Sequence, residues 1–179
     1  MITHMVHSVE LLLDDATDAH VRDQWATLQE HDIASLARVT AASNRPHVTL
    51  FVTTAPGLPR GVEDELARAV PAPAVPIRLG GLVCFGRHHV TLARLVVPTT
   101  ELLDLHRLVH DIAARRGVPV PRHIAPGHWT PHVTLSRRIP VGRLGEAVTL
   151  VGSGDDTDGT GVALRRWDGD GKREWRVSG

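Results

Sequence analysis

Pro46-His47-Val48-Thr49-Leu50 is the stretch that decides the predicted fold, because the same five residues return at positions 131–135. The chain has 179 residues, so the two copies fall in its two halves. Alternate side chains of a β-strand share a face, so the histidine and threonine of each copy would point to one side and its valine and leucine into the core. Each copy therefore presents one titratable imidazole next to one hydroxyl group.

A third copy of His-Val-Thr-Leu, at residues 89–92, lacks the preceding proline. A three-fold repeat with a period of about 42 is one interpretation. The flanking pattern favours a two-fold repeat with an offset of about 84 instead, since the same order of strands and helices recurs. Under this alignment His47 corresponds to His132, and His89 falls on the first strand of the second half. The first half is predicted to contain strands at 5–13, 46–54 and 75–86 and helices at 15–30 and 61–70, and the matching segments are 88–97, 100–116, 130–139, about 141–149 and 162–167.

The length and the 42% content of hydrophobic residues predict one domain over residues 1–179, built from two lobes that divide at about 86 and 87. The apolar stretches are too short to cross a bilayer, and the N-terminus lacks a basic segment followed by a hydrophobic run. We therefore expect a cytoplasmic, monomeric protein that does not contact membranes.

The formal net charge is zero, but basic residues are concentrated in the second half. Residues 1–89 hold 7 Arg and 10 acidic residues, whereas residues 90–179 hold 13 Lys or Arg and 10 acidic residues. A protein that grips a long nucleic acid usually has a stronger basic surface, so this distribution favours a nucleotide, a short oligonucleotide or an RNA end. A basic cluster near the C-terminus either takes part in such a contact or forms a solvated hairpin face: Arg165, Arg166, Lys172, Arg173 and Arg176.

The chain has 12 histidines, which raises the alternative of a metal-binding protein. His106 and His110 are four residues apart on a predicted helix, a spacing that can present two ligands to zinc. A third ligand is not evident, so the pattern favours two surface histidines.

Apolar and aromatic patterns predict several core positions. Trp25 lies on the apolar stripe of the first helix, and Cys84 lies in an apolar run that indicates a buried thiol. Phe51, in phase with the first motif, and Trp129, just before the second, could stack on a base, but ordinary packing is the simpler interpretation. The Gly-, Asp- and Thr-rich segment 152–161 predicts a loop before a closing hairpin.

The two His-x-Thr-Leu motifs, their spacing and the internal repeat together resemble the 2H (two-histidine) phosphoesterase superfamily, in particular its bacterial 2′-5′ RNA ligase-like branch. The resemblance extends from about Val6 to Val177. It implies an α+β fold in which antiparallel sheets form a bilobal, pseudo-two-fold arrangement. The helices would lie on the outside, and a central cleft would carry both motifs.

The resemblance also implies a chemistry without metal or cofactor, in which paired histidines cleave 2′,3′-cyclic phosphates or 2′-5′ phosphodiesters of nucleotides or RNA ends. His47 and His132 match the catalytic positions, and Thr49 and Thr134 match the phosphate-binding positions. Arg137 matches a basic residue that often follows the second motif, but on a regular strand it would point away from His132, so a bulge or strand end is needed. Two alternatives remain open, a non-catalytic protein that binds nucleotides or RNA ends and a His-rich metal-binding protein.

Overall fold

The computed structural model describes residues 6–152 and 156–179. These residues form an α+β fold, as the sequence predicts, with α-helices α1 (Asp15–Glu30), α2 (Val62–Ala69), α3 (Thr100–Arg115) and α4 (Leu144–Val151). The strands are β1 (His7–Leu13), β2 (His47–Thr53), β3 (Val75–Phe85), β4 (His89–Val96), β5 (His132–Pro140), β6 (Thr157–Asp168) and β7 (Arg173–Ser178).

The strands pair antiparallel in the order β1-β2-β5-β4-β3-β6-β7, and β6 pairs with β1 as well. This double pairing is possible because β6 is long, so that its first residues lie beside β3 and its later ones beside β1. Strands from the two halves of the sequence therefore lie side by side, and strand pairing crosses the predicted lobe boundary. The division into two lobes stays a prediction.

A long helix packs behind each strand that carries a motif. The first, α1, begins after Asp14, whose side chain accepts a hydrogen bond from the backbone N–H of Thr17, and it packs against β5, β6 and α4. The second, α3, begins after Thr99, which caps Leu102 in the same way, and it packs against β2, β3 and α2. The apolar stripe of α1 includes Trp25, which is 2% exposed, so its predicted core position is confirmed.

None of the helices within the described ranges combines the length and the apolar character that a bilayer-spanning helix needs.

The predicted loop over residues 152–161 is wrong in its second half, because β6 begins at Thr157. The two glycines in the part of this segment that forms β6 allow close packing instead of a turn. A Cβ at Gly159 would collide with the side chain of Thr17, and a Cβ at Gly161 would lie 2.5 Å from Leu11 Cδ2. Residues 153–155 of the predicted loop and residue 5 of the first predicted strand lie outside the described residues.

The predicted burial of Cys84 is also wrong, because its side chain is exposed near the end of β3. The strand is buried on alternate residues from Val75 to Leu79, but this pattern is lost in its last five residues. An apolar composition predicted the strand correctly here, but it could not show that the strand extends past the packed core.

Candidate active site

The two motif strands, β2 and β5, meet at a single pair of residues, Val48 and Val133. In an antiparallel pair this register makes His47 and His132 diagonal neighbours. The Cα atoms of such neighbours are about 7–8 Å apart in regular sheets. The motif valines and leucines are buried, whereas the histidines and threonines are half-buried and share the other face. The structure thus brings together the four residues that the sequence analysis singled out in the two motifs, including Thr49 and Thr134.

Both imidazoles are oriented by the same contact with a main-chain carbonyl two residues earlier. His47 Nδ1 lies 2.6 Å from the carbonyl oxygen of Arg45, and His132 Nδ1 lies 2.7 Å from that of Thr130. A carbonyl can only accept, so each Nδ1 carries the proton of this hydrogen bond. The neutral form of each ring therefore has its lone pair on Nε2, ready to accept a proton.

A β-bulge follows each motif. In the pairing of β1 with β2, Val9 is opposite Phe51 and Glu10 is opposite Thr49, so Leu50 has no counterpart. In the pairing of β4 with β5, Leu135 is skipped in the same way. A bulge inserts one extra residue and so reverses which face the following side chains occupy.

These bulges decide the positions of two residues named in the sequence analysis. Arg137 follows the buried Ser136 and therefore returns to the face of His132, which is the arrangement that its predicted role required. Phe51 turns into the core, where it is 1% exposed and contacts the ring of His110 edge-on at 5.3 Å. Packing is thus the interpretation that holds for Phe51.

Tryptophan indoles satisfy the carbonyl groups at both bulges. Trp129 Nε1 donates to the carbonyl of Thr49 at 3.1 Å, and Trp25 Nε1 donates to the carbonyl of Thr134 at 3.0 Å. The main-chain carbonyls of Thr49 and Thr134 are thus bound in the same way, each by an indole N–H. The two indoles come from different places, Trp25 from α1 and Trp129 from the segment just before β5. Because a bulge interrupts the regular ladder, these bonds fix the backbone beside each motif.

We expect Trp25→Phe and Trp129→Phe each to lower the free energy of unfolding by about 1 kcal/mol or more, because each leaves a partly buried carbonyl without its donor. Both should also lower kcat more than they raise KM, since the threonine backbone loses its support. Urea denaturation and steady-state kinetics measure the two effects. Trp175→Phe is the matched control, since its indole donates to Glu63 on the surface. An equal loss of stability in all three variants would contradict the role of the two bulge contacts.

A buried carboxylate beside the first motif was not anticipated from the sequence. Glu10 lies opposite Thr49 on β1, is 5% exposed, and places Oε1 3.6 Å from Nε2 of His47. Its other oxygen accepts from Nε of Arg165 at 2.8 Å, and Ser8 donates to Oε1 at 2.6 Å. The signal for this carboxylate was a single acidic residue within the apolar strand His7–Leu13.

Burial by itself would raise the pKa of Glu10, but the positive charges of His47 and Arg165 and the hydroxyl of Ser8 outweigh it and hold this pKa below its ordinary value. Glu10 is therefore a carboxylate at neutral pH. Arg165 also reaches the carbonyl of Ser43 at 2.8 Å and the carboxylate of Glu174 at 2.5 Å. The solvated-hairpin interpretation of the basic cluster is thus wrong for Arg165, and equally for Arg166, which is 3% exposed.

The second motif lies in a different electrostatic environment. Burial lowers the pKa of His132, and the nearby positive charges of His47 and Arg137 lower it further, while the Thr130 carbonyl acts in the opposite direction. Phe85, at the end of β3, packs against the imidazole with ring centroids 4.8 Å apart. His132 is therefore neutral at pH 7.

His106 and His110 are buried, which contradicts their predicted surface position. Their Nε2 atoms donate to the carbonyls of Ile124 and Leu50, at 2.9 and 3.1 Å. His106 also stacks on Trp129 at a centroid distance of 3.9 Å, so Trp129, like Phe51, packs against the fold. Burial and the neighbouring His110 lower the pKa of His106 to about 4. Both histidines continue the buried stripe of α3, so helical spacing could have revealed them.

The other histidines bear on metal binding and on the third copy of His-Val-Thr-Leu, at residues 89–92. Over residues 6–152 and 156–179, the structure contains no group of three or more His, Cys, Asp or Glu side chains that could hold a metal ion. His89 is exposed at the first residue of β4, opposite Pro140 at the far end of β5 from His132. This position agrees with the two-fold alignment of the sequence.

Comparisons with solved structures place the fold among known proteins. E. coli LigT in complex with 3′-AMP superimposes with a TM-score of 0.60 and 22% identity, covering 95% of this chain and 92% of that one. Kluyveromyces marxianus Usb1 gives a TM-score of 0.56 at 16% identity and 98% coverage of both chains, and its structure with uridine monophosphate gives 0.54 at 16% identity and 97% coverage of both. At this level of identity the likeness concerns the fold.

The sequence comparisons are more specific about the family. A search of curated protein sequences finds no significant match. The family model of the 2′-5′ RNA ligase superfamily matches residues 17–170, which include both histidine motifs and every helix described above except the first two residues of α1. The match agrees with the 2H phosphoesterase resemblance that the paired motifs indicated. The chain belongs to the 2′-5′ RNA ligase superfamily.

Proposed function

We propose that this protein is a phosphodiesterase that cleaves 2′,3′-cyclic phosphates or 2′-5′ phosphodiester bonds of nucleotides or RNA ends by general acid/base catalysis. The observation that carries the proposal is the matched pair of imidazoles on β2 and β5, each held through Nδ1 by a main-chain carbonyl and each with Nε2 left for proton transfer. The structural neighbours support a nucleotide ligand, since LigT and Usb1 have been solved with 3′-AMP and uridine monophosphate, respectively.

The charges around the two rings support different roles for them. His132, neutral at pH 7, is suited to take a proton from the attacking water as its oxygen bonds to phosphorus. The carboxylate of Glu10 lies 3.6 Å from Nε2 of His47, and this opposite charge beside the ring suits the role of acid. In this scheme His47 donates its proton to the ribose oxygen that leaves as the phosphorus–oxygen bond breaks.

Thr49 and Thr134 supply hydroxyl groups for the non-bridging phosphate oxygens. Among the described residues neither hydroxyl has a protein hydrogen-bond partner, so both are available to a ligand. Arg137, exposed on the same face, adds a positive charge next to His132. Preorganised donors of this kind stabilise the charge that develops on the phosphate in the transition state.

A panel of nucleoside 2′,3′-cyclic phosphates tests the proposal, with chromatography of the products to distinguish 2′- from 3′-phosphates. We expect a single type of monophosphate product, and we expect turnover to persist in the presence of a chelator. A protein that binds these compounds but leaves them intact would instead be a non-catalytic nucleotide-binding protein. Loss of turnover in the chelator, restored by added metal, would contradict the metal-independent mechanism.

Arg137→Ala should move the acidic limb of the kcat/KM profile to higher pH. A nearby positive charge disfavours protonation of an imidazole, so its removal raises the pKa of His132, and the general base then becomes active only at higher pH. The measurement is kcat/KM from pH 4 to pH 9. Arg68→Ala, on the exposed face of α2, is the matched control and should leave the profile unchanged. An acidic limb that stays in place, or moves to lower pH, would show that Arg137 does not act on this titration.

A further inference from the structure

A groove of about 470 Å³ lies between α1 and residues 37–45, with Glu174 on β7 at its border. This volume lies within the range of small-molecule binding sites. Arg45 lines the groove and also holds the ring of His47 through its carbonyl. Trp25 lines it as well and bonds to the carbonyl of Thr134. The groove thus borders two residues that support the motifs, Arg45 behind His47 and Trp25 at Thr134.

The walls of this groove are held by internal hydrogen bonds. Asn44 donates from Nδ2 to the carbonyls of Leu36 and Val39, at 2.8 and 3.0 Å, which closes the loop on itself. Arg165 donates to the carbonyl of Ser43 and thereby ties the loop to β6. A groove formed in advance costs a ligand little conformational ordering on binding.

The charges in the groove leave one cation without a partner. Arg22 pairs with Asp18, and Glu174 pairs with Arg165. Arg45 has no hydrogen bond, ion pair or ring contact through its side chain with any residue of the described part of the chain. A half-buried guanidinium without a counter-charge is suited to bind an anion, and phosphate matches its fork of donors.

Another part of the groove lining is apolar and exposed. Val39 is 47% exposed, and the short side chains of Ala41 and Ala42 lie beside it in the same lining. An uncharged surface of this kind can cover one face of a nucleobase. The groove therefore offers a cation for a phosphate and an apolar surface for a base, side by side.

We infer that this groove binds the nucleotide that adjoins the reactive phosphate in an oligoribonucleotide, with Arg45 on the phosphate of that nucleotide and its base against Val39. The inference rests on the proposed function, since it assigns the substrate of the same site. It makes the end of an RNA chain, and not a mononucleotide, the preferred substrate.

The test compares kcat/KM for a dinucleotide that ends in a 2′,3′-cyclic phosphate with kcat/KM for the matching nucleoside 2′,3′-cyclic phosphate. We expect kcat/KM to be about tenfold or more higher for the dinucleotide, because one charge-assisted hydrogen bond to a phosphate contributes a factor of this size. Arg45→Ala should bring the ratio close to one, and so should Val39→Asp, which places a negative charge at the base. Arg68→Ala should leave the ratio unchanged. A wild-type ratio of one, or a ratio that Arg45→Ala does not change, overturns the inference.

Equilibrium binding separates this inference from the proposed function. If neither compound is hydrolysed, the proposed function fails. Ligand binding in the groove is then tested by measuring the affinity of a labelled trinucleotide with a 3′-phosphate by fluorescence anisotropy. Arg45→Ala should weaken binding about tenfold and reduce the slope of log K against log salt by about 0.7. Equal affinity and equal slope in wild type and variant would overturn the groove assignment independently of catalysis.

Discussion

His47→Ala and His132→Ala are each expected to lower kcat/KM for a nucleoside 2′,3′-cyclic phosphate by about 10²- to 10⁴-fold, the usual contribution of one general acid or base. The two histidines act on the same proton-transfer sequence, so the double variant should lose little more than the worse single variant. Both side chains are half-buried, so the free energy of unfolding should change little. Steady-state kinetics and urea denaturation of the three variants test this directly.

His89→Ala is the matched control, because it alters the same tetrapeptide at the one copy that stands apart from the β2–β5 junction. We expect its kcat/KM to match the wild type. An inactive His89 variant together with an active His132 variant would mean that the wrong pair of motifs has been assigned. Activity retained in both His47→Ala and His132→Ala would remove the general acid/base mechanism altogether.

Arg165→Met is expected to lower the free energy of unfolding by about 3–5 kcal/mol, because it leaves the buried carboxylate of Glu10 without its guanidinium partner. The loss should depend on pH. In the wild type the pKa of Glu10 lies below its ordinary value, so this group stabilises the fold above that value, and the contribution disappears as the pH falls through the folded-state pKa. In the variant this pKa is higher than in the wild type, because only His47 and Ser8 then oppose burial, so the destabilisation should be larger at pH 7 than at pH 4.

The double variant Glu10→Gln/Arg165→Met is the control for this experiment, since it removes both charges together. Breaking one side of a buried pair is costly, whereas replacing both sides can be nearly neutral. Urea denaturation at the two pH values should therefore show that the double variant recovers much of the stability lost in Arg165→Met. A double variant less stable than Arg165→Met would mean that the pair itself, and not the unpaired charge, determines the loss.

The sequence predicted the parts of this molecule that depend on local periodicity. Alternation placed His47 and Thr49 on one face of a strand, and helical spacing placed Trp25 in the core. The repeat order identified β2 and β5 as equivalent strands, which is how the two motif histidines could be paired and His89 set aside.

The features that the sequence did not reveal depend on contacts between distant segments. Glu10 and Arg165 are 155 positions apart and meet only because β6 pairs with β1. The bulge at Leu135 is set by the register against β4, so strand alternation placed Arg137 on the wrong face. The lack of an evident third metal ligand favoured a surface position for His106, although its helical spacing continues the buried stripe of α3.

The position of β6 between β1 and β3 has a consequence for the order in which the chain assembles. During synthesis β1 can pair early with β2, but its other edge stays open until residues near Arg165 leave the ribosome. Edges left open in this way are prone to pair with other chains, and contacts between distant segments slow folding. We therefore expect truncation before β6 to yield an aggregating fragment in which Glu10, beside His47, lacks its partner Arg165, even though the whole first motif is present.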